Sequence, residues 1–270
     1  MRYILLFIAI FTFSCKYNIT SPVGTIKDYS ANSGKLFYTS SDDSDNDIET
    51  TLKKNKHSLG KYLIKVSPTN DKSTAILTNI KASLDKNPSF DNVEIDLSLT
   101  KITNIPKEMF ANTTNLGKIT LPDTVTNIEE KAFSGCYSLN SIRFPNNLEN
   151  ISEGAFSNCS GLKLIILSSG ALTNISNNAF YGSSSLVNLI LPANISNVCD
   201  TAFSNCSQLK NLEYLGTNTN VSGSPFKKGS SISNLYLPDV DKSKTNDFNT
   251  KCFLGKKDWK ITKGHIPYNK

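Results

Sequence analysis

Cysteine and histidine are the residues of this sequence best suited to nucleophilic or metal chemistry, and both are scarce. The 270 residues include six cysteines, at positions 15, 136, 159, 199, 206 and 252, and two histidines, His57 and His265. The sequence contains no C-x-x-C pair of the kind that zinc sites use. It also lacks G-x-S-x-G, H-E-x-x-H, P-loop and G-x-G-x-x-G motifs. We therefore predict no catalytic residues, no metal ligands and no cofactor, and hence a protein that is not an enzyme.

An acidic run, Asp43-Ser-Asp45-Asn-Asp47, has the alternating spacing of a calcium-binding loop. An EF-hand loop needs glycine at its sixth position and a bidentate glutamate at its twelfth. Ile48 and Lys54 stand at those positions here. The run is therefore interpreted as a solvated acidic spacer.

The formal net charge of +6 comes almost wholly from lysine, since the only arginines are Arg2 and Arg143. Nucleic-acid-binding modules concentrate arginine and lysine beside stacking aromatic residues. No such cluster occurs here, and scattered lysines are typical of a solvated surface. The composition therefore predicts no nucleic-acid partner.

The first fifteen residues, MRYILLFIAIFTFSC, have a positive start at Arg2 and an apolar run over residues 3–13. A bilayer-spanning helix needs about 20 apolar residues, so this run has the length of a signal-peptide core instead. The arrangement resembles bacterial lipoprotein signals, although Thr12 stands where that pattern prefers leucine. The resemblance implies lipidation at Cys15, a membrane anchor through that lipid, and an outer-surface place in the bacterial cell envelope. Simple secretion or an uncleaved anchor is the alternative.

Two segments separate this signal from the rest of the chain. Residues 16–60 are rich in Ser, Asn, Asp and Thr and show no sustained period, so we predict a flexible tether. Residues 61–92 combine a strand pattern with a helix pattern that places Ile76, Ile80 and Leu84 on one face. This second segment is predicted to cap the amino-terminal end of the domain that follows.

A repeat organises residues 93–238. Its marker phenylalanine recurs at steps of 23, 23, 24, 23 and 23 residues, and Leu or Ile follows six and nine residues later. With a further apolar residue at eleven, the pattern becomes L-x-x-L-x-L, the strand segment of a leucine-rich repeat. We predict an α/β repeat fold: a right-handed leucine-rich repeat solenoid with a parallel sheet on its concave face, closed by residues 239–270. The markers are Phe110, Phe133, Phe156, Phe180, Phe203 and Phe226.

The full pattern, I-x-x-x-A-F-x-x-C-x-x-L-x-x-I-x-L-P, resembles the BspA-like leucine-rich repeat family of bacterial surface proteins. Members of that family are commonly adhesins or interaction modules that engage host matrix or other cells. The resemblance implies a protein ligand, with a host matrix protein as one option. A structural envelope lipoprotein that faces the periplasm and has no external ligand is the alternative.

Cys136, Cys159 and Cys206 share one position of the repeat, where the other copies hold Thr113, Ser183 and Gly229. A column of small residues indicates a tight turn, in which free cysteine packs as a small apolar side chain. Adjacent coils about 4.8 Å apart also bring Cys136 and Cys159 within disulfide range. The interchange with serine and threonine argues against a required bridge.

The side chains eight and ten residues after each phenylalanine alternate with the buried ones and should point outward on the concave face. Leu164, Ile166 and Ile190 form an apolar group there beside Arg143, which predicts a protein-binding patch. An equal alternative is that the one 24-residue step, with Ser-Ser-Gly at 168–170, shifts the register and buries some of them. The predicted partner-binding residues are Lys118, Arg143, Leu164, Ile166, Asn188, Ile190, Glu213 and Tyr236.

Overall fold

The computed structural model describes residues 36–40, 42–68, 74–226 and 229–267. Within these ranges the chain winds into a parallel-sheet solenoid of about 7 turns, which confirms the predicted repeat architecture. The predicted signal peptide and its lipidation site, Cys15, lie outside the described residues. None of the helices in the described ranges is long and apolar enough to span a membrane.

Two rows of parallel strands run along the solenoid. The main row carries one strand per coil and is divided into two sheets, with order β1-β2-β4-β6 and β8-β10-β12-β13-β14. Its strands are β1 Leu63–Lys65, β2 Val93–Asp96, β4 Leu116–Thr120, β6 Ser141–Arg143, β8 Leu164–Ile166, β10 Asn188–Leu191, β12 Asn211–Tyr214, β13 Asn234–Leu237 and β14 Lys260–Lys263. The second row consists of two-residue strands: β3 Asn104–Ile105, β5 Asn127–Ile128, β7 Asn150–Ile151, β9 Asn174–Ile175 and β11 Asn197–Val198.

The marker phenylalanines form a stacked column through the core. A constant period places each ring above the same ring of the preceding coil, and coils are about 4.8 Å apart. Ring centroids from Phe110 to Phe203 are therefore only 5.0 to 5.4 Å apart, with planes within 10° of parallel. Phe226 departs from the stack, at 5.9 Å and 32° from Phe203.

The turn after each phenylalanine alternates asparagine and glycine. The residues two positions on are Asn112, Gly135, Asn158, Gly182 and Asn205, and all have positive φ. A Cβ on Gly182 would lie 2.5 Å from the Oδ1 of Asn158 in the preceding coil. The side chains of Asn112 and Asn158 thus occupy the space that a side chain at Gly135 or Gly182 on the next coil would need, which favours glycine at those two positions.

The cysteine column packs as the small-residue interpretation predicts. The thiol of Cys136 donates to the Phe110 carbonyl at 3.0 Å, and that of Cys159 donates to the Phe133 carbonyl at 3.1 Å. Both cysteines are free, so the alternative disulfide is not formed. Burial raises the pKa of Cys136 to about 12, which keeps the thiol protonated and unreactive.

Two helices stand at the amino-terminal end, α1 Asp45–Leu59 and α2 Ala75–Lys86. The prediction of a flexible tether over residues 16–60 is therefore wrong for α1. Ile48 and Leu52 are fully buried on one side of α1. The sequence is polar overall, but these two residues at i and i+4 suffice to dock one face of a short helix.

The acidic run is the start of α1 rather than a solvated spacer. Ser44 accepts from the Asp47 N–H and Asp47 accepts from the Ser44 N–H, which is a capping box. Asp45 lies in the first turn, where the helix dipole favours negative charge. Further along α1, the buried Asn55 amide donates to the Phe37 and Leu63 carbonyls, joining the helix to β1.

The carboxyl-terminal side continues the sheet by one strand. Before β14 come α3 Asp247–Thr250 and two 3-10 turns, Lys242–Lys244 and Phe253–Gly255. Trp259 packs against Phe226 and Phe253, and its indole N–H donates to the Phe253 carbonyl at 3.1 Å. These aromatic residues bury the last coil, and β14 pairs with β13 in register.

Candidate binding surface

The outward side chains of the main strand row form the surface that the repeat pattern assigns to a partner, here called the concave face. Its buried counterparts, such as Ile119, Ile165 and Leu212, are fully enclosed between the two strand rows. Alternation along each strand therefore leaves two side chains per coil on the concave face. The exposure of those side chains to solvent differs between the two ends of the solenoid.

Four of the predicted partner-binding residues lie on the half of the concave face formed by β4, β6 and β8, here called the open half. Lys118 and Arg143 are exposed, and Leu164 is half-buried. Ile166 is 46% exposed, which is unusual for a large aliphatic side chain. The open half thus combines two cations with an apolar pair.

Arg143 is held over the preceding coil by weak contacts. Its guanidinium donates to the Leu121 carbonyl at 3.3 Å and reaches the Asp123 carboxylate at 3.3 Å. The Asn146 N–H, and after it the Arg143 guanidinium, lower the pKa of Asp123. The Arg143 side chain is still about half exposed, so its charge is available to a partner.

The break between β6 and β8 lies beside these residues. Ile142 and Phe144 stand nine and eleven residues after Phe133, in the apolar columns of the repeat, and at this break they are only partly buried. The 24-residue step falls after β8, where β8 and β10 still pair in register with Ile166 opposite Ile190. Ser169 absorbs the extra residue: it is buried, and its hydroxyl donates to the Leu148 carbonyl at 2.7 Å. The alternative prediction of a register shift is therefore wrong.

Glu213 and Ile190 were predicted to be available on the concave face, and the structure shows both to be buried. Ile190 is 7% exposed and Glu213 is 2% exposed. Glu213 is enclosed by a segment that follows β14. The His265 imidazole contacts one Glu213 carboxylate oxygen at 2.5 Å, and the Ile266 N–H donates to the other at 2.9 Å. We call residues 264–267 the cover segment and the surface around Glu213 the covered half.

The remaining predicted residues are Asn188 on β10 and Tyr236 on β13, and both are half-buried. Asn188 begins a ladder in which Asn211 donates to Asn188 and Asn234 donates to Asn211, each at 2.7 Å. These amides satisfy one another along the sheet. Asn188 therefore supports the coil-to-coil spacing as well as lining the surface.

Three groups were missed by the sequence analysis. His265 and Ile266 lie about 50 residues from Glu213 in sequence, and no local pattern links them. The amide column of the second strand row was visible in the sequence, because asparagine stands six residues before every marker phenylalanine. In that column Asn150 donates to Asn127 at 2.7 Å and Asn197 donates to Asn174 at 2.6 Å.

Within the part of the chain that the structure describes, no group of three His, Cys, Asp or Glu residues is arranged to hold a metal ion. The outward side chains of the main-row strands from β4 to β13 are instead those of a contact surface, with aliphatic groups, the cations Lys118 and Arg143, amides and the enclosed Glu213 carboxylate. Leucine columns and a parallel strand row that repeats coil by coil together define a leucine-rich repeat protein.

Comparison with protein families identifies the type of repeat. A model described as "BspA type Leucine rich repeat region" matches six copies, over residues 78–176, 103–233 and 138–260. These stretches together extend over more than half of the chain. The chain belongs to the BspA-type leucine-rich repeat family.

Solved structures of bacterial leucine-rich repeat proteins are similar to this chain. A leucine rich cell surface protein from Faecalibacterium prausnitzii A2-165 is 27% identical, over 48% of this chain and 34% of that one, with a TM-score of 0.45. The pneumococcal vaccine antigen PcpA is 22% identical, over 65% and 42%, with a TM-score of 0.53. The T. pallidum leucine-rich repeat protein TpLRR is 21% identical, over 64% and 86%, with a TM-score of 0.45.

The likeness to PcpA supports the fold alone. The chain spans about a third of the Faecalibacterium protein and less than half of PcpA. Comparison with curated proteins gives no significant match.

Proposed function

We propose that this chain is a cell-envelope-anchored leucine-rich repeat protein that binds a protein ligand through the open half of the concave face. The observation that supports this most directly is Ile166, which is 46% exposed on the same face of β8 as Leu164, one coil after Arg143 on β6. Aliphatic surface next to an arginine is typical of protein interfaces, where arginine is enriched. Solenoids generally use their extended concave surface for such contacts.

The charges of the open half indicate what the ligand presents. Lys118 is exposed, and Arg143 contacts Asp123 only at 3.3 Å. A ligand with an aliphatic side chain flanked by carboxylates would bury Ile166 and pair with both cations. A host matrix protein is the ligand class that we propose to test first, which makes adhesion to host or other cells the biological role.

The test uses the full chain, because α1 packs against the cap and a fragment starting at residue 60 would remove it. Immobilised matrix proteins are screened by surface plasmon resonance against the unmodified chain and the double variant Leu164→Ser, Ile166→Ser. We expect at least a tenfold loss of affinity, because two apolar contacts of about 1–2 kcal/mol each are removed.

Tyr137→Ser provides the matched control. Tyr137 is 53% exposed, but it lies in the turn after Cys136, away from the concave face. This control should bind as the unmodified chain does. Unchanged affinity in a folded Leu164→Ser, Ile166→Ser variant would refute the open half as the binding surface.

The envelope anchor is supported by the lipoprotein-like signal over residues 1–15 and by family membership. Incorporation of labelled fatty acid should occur in cells that make the unmodified chain and should disappear in Cys15→Ser. Protease added to intact cells should then cleave the protein if it faces outward. Full protection would favour the alternative, a structural lipoprotein that faces the periplasm.

A further inference from the structure

The cover segment crosses the concave face after a sharp change in chain direction. Gly264 has φ +114°, a conformation that essentially only glycine adopts, and follows directly on β14. Glu213 pairs in register with Tyr236, which in turn pairs with Thr262 on β14. The cover segment therefore returns across two strand spacings, roughly 10 Å, to reach Glu213.

The contacts beneath the cover segment resemble those between a protein and a bound peptide. Both oxygens of the Glu213 carboxylate are used, one by the His265 imidazole and one by the Ile266 main-chain N–H. A carboxylate only accepts, so the imidazole nitrogen must donate. Ile266 is 2% exposed, yet neither it nor Ile190 belongs to the hydrophobic core of the solenoid.

The coil itself does not need an enclosed carboxylate at this position. This position varies between strands, and the residues corresponding to Glu213 are Asp96, Thr120, Arg143, Ile166, Ile190 and Tyr236. Without the cover segment, Glu213 would be solvated as outward side chains of a sheet usually are. A buried carboxylate is costly unless it is fully hydrogen-bonded, so Glu213 and the cover segment are matched to each other.

Displacement of the cover segment would enlarge the open half. Ile190 pairs in register with Ile166 on one side and Glu213 on the other. Uncovering Glu213 would therefore extend the surface of the Leu164–Ile166 pair, past Ile190, to the Glu213 carboxylate in one strip. The strip would then be apolar at one end and anionic at the other.

We propose that the cover segment is an intramolecular occupant of a docking site centred on Glu213, and that a partner-protein segment with a basic side chain directly before a branched aliphatic residue displaces it. In such a segment the basic side chain would take the place of His265, and the aliphatic residue would take the place of Ile266. This inference rests on the proposed function, because it assumes that the concave face binds protein.

The probe for the test is a fluorescein-labelled synthetic peptide, KITKGHIP, which copies residues 260–267. It is titrated by fluorescence anisotropy into the full-length chain and into full-length Ile266→Asp, whose new carboxylate would face Glu213 and unseat the cover segment. We expect at least tenfold tighter binding to Ile266→Asp, because the tethered segment competes at high effective concentration in the unmodified chain.

Two further variants locate the binding. Adding Glu213→Gln to Ile266→Asp should weaken peptide binding about tenfold, since a charge-assisted pair becomes a neutral one. Lys263→Ala, which changes an exposed residue just before the cover segment, should bind as the unmodified chain does. The proposal would be overturned if the peptide bound the unmodified chain and Ile266→Asp with equal affinity. It would also be overturned if adding Glu213→Gln left the affinity for the peptide unchanged.

A measurement on the unmodified chain guards against misfolding of the variant. Hydrogen exchange at the Ile266 amide should be slow alone and faster when excess peptide releases the cover segment. An exchange rate unaffected by saturating peptide would also overturn the proposal. Failure here would leave the proposed function intact if Leu164→Ser, Ile166→Ser still abolishes matrix binding. If peptide speeds exchange at Ile266 but Leu164→Ser, Ile166→Ser leaves matrix binding unchanged, the docking site is retained and the open half is rejected as the binding surface.

Discussion

The open half and the covered half of the concave face lie on neighbouring coils of one solenoid but differ in their exposure to solvent. Beneath both, the phenylalanine stack and the leucine columns are continuous. Above them, Ile166 is exposed to water on β8, whereas Ile190 on the adjacent strand is enclosed. The repeat therefore provides the scaffold, and a short non-repeating segment decides which part of it a partner can reach.

The largest effect we predict tests whether the core is the same beneath both halves. Phe156→Ala and Phe203→Ala should each lower the free energy of unfolding by about 3–5 kcal/mol, because each removes a fully buried ring from the stack. Urea denaturation followed by circular dichroism measures both. A difference above about 2 kcal/mol between them would show that the halves differ in their core and not only in their cover.

A smaller effect should separate two charged residues of the concave face, Glu213 and Arg143. Glu213→Ala leaves the buried Ile266 N–H without its acceptor and should lower the free energy of unfolding by about 1–3 kcal/mol. Arg143→Ala should cost about 0–1 kcal/mol, since the side chain is half exposed and its contacts are long. Urea denaturation of the two variants tests this ranking, and equal losses would contradict it.

The smallest effect concerns pH and should be confined to the covered half. The hydrogen bond and charge of Glu213 raise the pKa of His265 above its ordinary 6.5. Asp239, which follows β13, raises it further, and Lys260 and Lys263 on β14 are the nearby cations in the sequence. The protonated imidazole binds the carboxylate better, so its contribution is complete below the ordinary pKa and is lost as pH rises through the raised one.

Exchange at the Ile266 amide, corrected for intrinsic pH dependence, should accordingly quicken above that raised pKa. A proton NMR titration of His265 gives the midpoint directly, and Glu213→Gln should return it toward 6.5. A midpoint that is the same in both proteins would show that the pair is not formed in solution.

The repeated part of the fold could be predicted because the same residue types recur at the same positions of each coil. Ile128, Phe133 and Leu139 were placed in the core from one column pattern, and all three are fully buried. The register after the 24-residue step was less certain from sequence, because an inserted residue can enter either a strand or a turn. The buried hydroxyl of Ser169 shows that it entered the turn.

The errors came from non-repeating segments. Helix α1 was hidden by its polar composition, although Ser44 and Asp47 have capping-box spacing and Ile48 and Leu52 share a face. The burial of Glu213 depends on a contact 52 residues away in sequence, to His265. The repeat period does not predict such a contact. Glu213 was therefore predicted to be exposed, although the chain folds back over it.

The tilt of Phe226 has a mechanical consequence. Under tension along the solenoid axis, coils separate first where the contact between them is weakest, and in a one-dimensional array each coil is held only by its neighbours. Ring contacts are close and parallel up to Phe203 and looser at Phe226. A pulling force would therefore peel away the β13–β14 end with its cover segment before it disturbs Arg143 and Ile166. Such a force would expose the Glu213 site while the coils that carry the open half stay folded.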